Sequence, residues 1–206
     1  MDIEVFDLKL LKKYIKNKNI HFIFGNDHLQ QYASLTELNN TIKKMSKEFS
    51  KDSIVFYFGE KSDIDNPDIG YIMEELYNRR NDLDFIMIEQ ETTESYPKFI
   101  NKVFKLDIKT SKKRGVNNNT KKPLGLTKFW IDINKTTEID TIYILGGNEI
   151  IMEEMELIKE MEINYKYYPL KRKFNNDGKT IIKKSASLSD KVGPTFILNK
   201  TDDDII

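Results

Sequence analysis

The sequence predicts an α/β fold, a three-layer sandwich with a mainly parallel sheet of about five strands between layers of helices. Three observations carry this expectation. Runs such as SIVFYF (53–58) and TIYIL (141–145) are continuously apolar rather than alternating, as strands covered on both faces are. These runs alternate with stretches of helical periodicity. Two of them stop at glycine, at Gly59 and at Gly146-Gly147, just before a helical pattern, which is how α/β domains build a phosphate-sized concavity.

The elements follow in order. Apolar residues at Ile3, Phe6, Leu10, Leu11, Tyr14 and Ile15 predict a helix over about 8–17, and IHFIFG (20–25) a short buried strand. Ser34 and Glu37 form a capping-box pattern ahead of the stripe Leu35, Leu38, Ile42, Met45 and Phe49. The run 53–58 is the second strand. Asn66-Pro67 marks a helix start, with asparagine as cap and proline at the first helical position, and Ile69, Ile72, Met73 and Leu76 as the buried face. LDFIMI (83–88) is the next strand. Residues 97–106 are expected to be helical and 111–125 a polar, basic loop. Residues 126–134 hold the single tryptophan and read as strand or helix; their stripe suits a helix leading into the strand 141–145. Asn148 caps a further helix with Ile151, Met155 and Ile158 inward, and NYKYYP (164–169) is a strand. Residues 192–198 are a candidate edge strand, and TDDDII at 201–206 is expected to fray.

The 206 residues suit one such domain, expected over 1–173 with the basic loop 109–125 included, and an extension over 174–206 that is partly disordered or an edge strand. At 39% hydrophobic and 11% aromatic residues the chain can bury a core without staples. It has no cysteine, which excludes thiol catalysis, thiolate zinc and disulfides. The start MDIEVFDLKLLKK is unlike a secretory signal. No apolar run approaches the roughly 18 residues of a membrane span. A cytoplasmic protein without a membrane partner is the expectation.

Lys plus Arg equals Asp plus Glu, at 33 each, but the signs are segregated. Residues 60–94 carry eleven acids against three bases, and 98–128 ten bases against one acid. Solvated surface accounts for such blocks, and so does a basic layer folded over an anionic ligand. Basic and aromatic residues interleave over 165–173, as nucleic-acid surfaces do. The zero net charge argues against a broad nucleic-acid footprint.

The glycine turns hold the candidate site residues. Gly146, Gly147 and Asn148 lie between a strand end and a helix start, where free N–H groups and the helix dipole favour an anion. A tight turn capped by asparagine explains them equally. Gly25 and Asn26 end the first strand, and Gly59 and Glu60 the second. Glu153 and Glu154 could meet ribose hydroxyls or polarise a water at a glycosidic bond. Arg172, whose fork suits phosphate, and Lys128 are the candidate cations. His21 reads as a strand residue, and His28 as one that could face the site. Asp63, Asp65 and Asp68 are spaced like oxygen ligands, but Pro67 and the lack of a downstream bidentate glutamate break the calcium-loop pattern, so no metal is expected. Neither a dinucleotide fingerprint, a P-loop nor a G-x-S-x-G elbow occurs.

Over roughly residues 20–173 the element order and two motifs resemble the SLOG superfamily, relatives of the lonely guy (LOG) and DprA Rossmann-like proteins. In YILGGNEIIMEE, Gly146, Gly147 and Glu153 fall on the two glycines and the glutamate of the LOG motif P-G-G-x-G-T-x-x-E. Leu145, Glu149 and Ile150 stand where that motif has proline, its third glycine and threonine. FGEKSDIDNPDIGYIMEEL resembles the first glycine turn of the superfamily and its helix, with Gly59 and Gly70 at the matching positions. The resemblance implies a Rossmann-like sheet and a nucleotide-derived ligand that is sensed or processed. Related domains often pair through helices, which makes a homodimer part of the implication. A TIR-like or flavodoxin-like domain competes, and TIR-type NAD cleavage would use a helical glutamate, for which Glu74 is the nearest candidate.

The expected function is therefore binding or sensing of a nucleotide-type ligand, with no cofactor required. The turns at 25–26, 59–60 and 146–148 would hold it, with Gly70, Lys128 and Arg172. An alternative is N-glycosidic hydrolysis of a nucleotide or NAD, with Glu153 as catalytic residue. A third reading is a partner-docking module using the basic loop 109–122.

Overall fold

The structure, a computed structural model, describes residues 3–25, 34–58, 69–89, 96–106, 115–117, 119–120, 122–146, 149–170, 181–183 and 197–199. The strands are β1 (Glu4–Phe6), β2 (Ile20–Gly25), β3 (Ile54–Phe58), β4 (Asp84–Glu89), β5 (Lys102–Lys105), β6 (Thr141–Leu145), β7 (Tyr165–Tyr168), β8 (Ile181–Lys183) and β9 (Ile197–Asn199). The helices are α1 (Leu8–Ile15), α2 (Leu35–Met45), α3 (Ile69–Arg79), α4 (Gly125–Asn134) and α5 (Glu149–Glu160).

Local chemistry sets the helix ends. The Asp7 carboxylate accepts the Leu10 N–H at 2.7 Å and starts α1. The Ser34–Glu37 capping box is complete, each side chain accepting from the other residue's backbone N–H. Leu38, Ile42, Met45 and Phe49 are buried, whereas Leu35, in the first turn, is exposed.

Seven strands form one sheet in the order β1-β5-β4-β3-β2-β6-β7. Every pairing in it is parallel. The sheet thus has seven strands where about five were expected. The two additional ones, β1 and β5, pair with each other at one end, Val5 opposite Val103. The helix expected over 97–106 is instead a turn at 97–100, closed by Ile100 N–H on Pro97 O, followed by β5. The physical reason is long-range. KVFK is too short to sustain a helix of its own, and a vacant edge of β4 offers it a hydrogen-bonding ladder. β9, which overlaps the edge strand expected over 192–198, pairs antiparallel with β8 in a separate two-stranded sheet. The helix start at Asn66-Pro67, the Asn148 cap and the tail 201–206 lie outside the described residues.

Helices cover both faces. Phe22, Phe24, Phe56, Ile86, Phe104 and Ile144 point to one side, packed with Leu11 and Ile15 of α1, Phe129 and Trp130 of α4, and Met155 and Ile158 of α5. Ile23, Val55, Tyr57, Met87, Val103 and Leu145 point to the other, against Leu38 and Ile42 of α2 and Ile72 and Leu76 of α3. Successive strand residues therefore feed two separate cores, which is why the strand sequences are apolar throughout. Among the described residues no helix is long and apolar enough to cross a membrane.

Candidate functional site

The strand order reverses once beside β2. The chain runs from β2 outward through β3, β4 and β5, then returns to the other side of β2 with β6 and β7. Crossovers leave such a point in opposite directions, which opens a crevice beyond the carboxyl ends of the two strands. Here those strands are β2 and β6, whose ends are level, Gly25 pairing with Leu145. β3 ends nearby at Phe58, one residue past the Ile23–Tyr57 pair.

Gly25 packs closely against the start of α3. A Cβ placed on it would lie 3.1 Å from Ile69 Cδ1, at the start of α3. Gly70 is buried one residue further into that helix. Gly146 has φ 73°, a conformation that favours glycine. Its N–H donates to Tyr168 O at 2.9 Å, extending the β6–β7 ladder by one bond. The amide expected to be bare at Gly146 is thus occupied. Lys128 is exposed on α4 and paired with Asp132 at 2.6 Å within the helix. Asn26, Gly59, Glu60, Gly147, Asn148 and Arg172 lie outside the described residues, as do His28, Asp63, Asp65 and Asp68.

The two acids of α5 differ sharply. Glu153 is exposed, and its Oε2 accepts the Val116 N–H at 3.3 Å. Glu154 is wholly buried. Its Oε1 accepts from the Thr127 hydroxyl at 2.7 Å and from Trp130 Nε1–H at 3.4 Å. Its inward position was legible in principle, because it falls at i+3 from Ile151 in the stripe 151, 155, 158. Its partners on α4 were not, since no spacing rule links residues 127 and 154.

A second buried acid, which the sequence reading did not single out, closes β4. Glu89 is 4% exposed, accepts from the Tyr96 hydroxyl at 3.1 Å and pairs with Lys105 Nζ at 3.3 Å. Tyr96 first, and Glu89 with it, hold the Lys105 ammonium above its ordinary pKa. An acid ending the apolar run DFIMIE was the available signal.

His21 belongs to the other end of the sheet. It is the second residue of β2, edge-on to Phe49 at 5.0 Å, with Nε2 3.5 Å from Asp140 Oδ2. Burial lowers its pKa, and Asp140 only partly opposes this. Glu74 is exposed on α3. Among the described residues no group of three or more histidines, aspartates or glutamates could hold a metal ion. No family model and no curated protein matches the sequence.

Proposed function

We propose that the chain binds a nucleotide or nucleotide-derived ligand at the carboxyl edge of a Rossmann-like sheet, in the crevice between β2 and β6. One observation carries the reading. The two strands that flank the reversal of strand order end side by side, at Gly25 and at Leu145-Gly146. Ligands of open α/β sheets bind at such a point. Because the Gly146 N–H serves Tyr168, phosphate recognition falls to Gly147 and Asn148, which follow it in sequence, and to Gly59 and Glu60. Those four enter from the sequence alone. Glu153 would meet the ribose, and Lys128 or Arg172 would offset charge.

Thermal unfolding with a nucleotide panel tests this. A ligand at a hundredfold excess over Kd stabilises by about 2.7 kcal/mol, which moves Tm by roughly 5–10 °C for a chain of this size. An unmoved Tm at saturating concentrations of the whole panel defeats the reading.

A second reading, N-glycosidic cleavage, is favoured by the exposure of Glu153 on α5. Chromatography of NAD and nucleoside monophosphates after incubation would then show products that Glu153→Ala abolishes. Identical profiles from both proteins would remove Glu153 from that role.

A further inference from the structure

Glu154 is a fully buried acid to which the binding reading gives no task. Taking a carboxylate out of water is costly unless donors meet it. Thr127 and Trp130 of α4 supply them. Thr127 is itself buried, and its hydroxyl oxygen accepts the Gly115 N–H at 2.7 Å. The next amide, Val116 N–H, donates to Glu153. Two consecutive amides are thus held by two consecutive glutamates of α5, one directly and one through Thr127.

Those amides form one foot of a small hairpin. Val116 and Pro123 make an antiparallel bridge, Asn117 N–H donates to Lys122 O, and Leu124 N–H donates to Gly115 O. A glycine with positive φ stands at each foot, Gly115 at 85° and Gly125 at 24°. Glycine takes up and leaves such conformations without a Cβ penalty, so both feet are suited to turn as hinges. Two described hydrogen-bonded links tie the base to α5, through the two glutamates just named.

We propose that Glu154 is a positioning residue which, through Thr127, latches the paired segments 115–117 and 122–124 onto α5. In this state one oxygen of the exposed Glu153 accepts the Val116 N–H; the latch does not rest on the binding reading above.

Thr127→Val keeps the side-chain shape and removes the hydroxyl, and Thr127→Ser keeps the hydroxyl. Amide hydrogen exchange, read residue by residue on the full chain, tests the latch. Gly115 and Val116 are expected to exchange about tenfold faster or more in Thr127→Val. They return to the wild-type rate in Thr127→Ser, and the sheet amides of Ile23 and Ile144 are unmoved in both. Unchanged exchange at Gly115 in Thr127→Val overturns the proposal. So does acceleration shared equally by hairpin and sheet, which is what loosened α4–α5 packing alone would produce. Glu154→Leu, which removes the acceptor of the Thr127 hydroxyl, replaces Thr127→Val, read in the same way, if that variant does not fold. A nucleotide titration of the wild type runs alongside. Failure to bind there counts against the ligand reading, while the exchange data decide the latch.

Discussion

A methyl group placed on Gly25 measures how closely α3 seats on the strand reversal. The added Cβ would lie 3.1 Å from Ile69 Cδ1, with Cγ1 and Cβ of that residue at 3.9 and 4.0 Å. Carbon contacts are optimal at about 3.5–4.0 Å, so the free end of one flexible side chain has to give by a few tenths of an ångström. Two terms of opposite sign decide the result. Gly25 is not among the positive-φ glycines, so alanine suits its backbone and stabilises by about 0.4–1 kcal/mol through the unfolded chain. Overpacking costs about 1–3 kcal/mol in a rigid core, and a single yielding terminal carbon puts this site at the low end. Gly25→Ala is therefore expected to change stability by less than about 1 kcal/mol. Ile69→Val removes Cδ1 and costs about 0.5–1.5 kcal/mol alone. Together the two should be better than additive by about 0.5–1 kcal/mol, because the clash has gone. Urea unfolding at constant m reads all four proteins. A loss above about 3 kcal/mol in Gly25→Ala that Ile69→Val does not relieve refutes the packing account. If Gly25→Ala instead keeps its stability and loses the nucleotide-induced Tm shift, Gly25 serves close approach of a ligand to the backbone.

Three further outcomes are expected. Arg80 donates from Nη1 to Ser46 O at 2.7 Å and Phe49 O at 2.9 Å while its Nε and Nη2 grip Asp82, so it clamps the α2–β3 connection. Arg80→Lys keeps the charge but loses the fork, and calorimetry should show about 1–3 kcal/mol of destabilisation; an unchanged Tm would disprove the clamp. Burial depresses the His21 pKa below its ordinary 6.5, so below that pH the unfolded chain takes up a proton that the native imidazole resists. Stability is then lost as pH falls through 6.5 and levels off below the folded pKa. His21→Phe should flatten that part of the urea-midpoint profile, and an equal slope in both proteins would assign it to other groups. Ser34→Ala removes the cap of α2 and should cost about 1 kcal/mol, with Ser34→Gly milder; an unchanged urea midpoint in Ser34→Ala would mean that the hydroxyl contributes little.

The parts of the fold legible in the sequence are those whose cause is local. The runs at 20–25, 54–58 and 141–145 are apolar because each residue meets one core or the other, and the Ser34–Glu37 box is a four-residue interaction. β1 and β5 escaped because neither has a reason to be a strand without the other or without β4. Glu4–Phe6 carries two exposed residues and one buried one, and its ladder partner lies about a hundred residues away, Glu4 opposite Lys102. Phe6 looked like the start of the α1 stripe because it does pack on that helix, with its ring 5.1 Å from Tyr14.

The site divides in the same way. A glycine at the end of an apolar run is a local pattern, and Gly25 and Gly146 do end adjacent strands. What each glycine does depends on distant residues. Ile69 determines the space at Gly25, and Tyr168 takes the amide of Gly146. The neighbouring glutamates show why motif position is a poor guide to burden. Glu153, the residue that aligns with a motif, is exposed and bonded to one loop amide. Glu154 occupies an i+3 place in the buried stripe of α5 and has no exposed surface. An apolar residue there would fill the space between α4 and α5 without the cost of desolvating a carboxylate. A leucine would also leave the Thr127 hydroxyl and the Trp130 N–H facing a side chain with no acceptor. The acid therefore makes sense as one member of a set with Thr127, Trp130 and Gly115. The set fixes the Gly115 amide, and with it one foot of the Val116–Pro123 bridge.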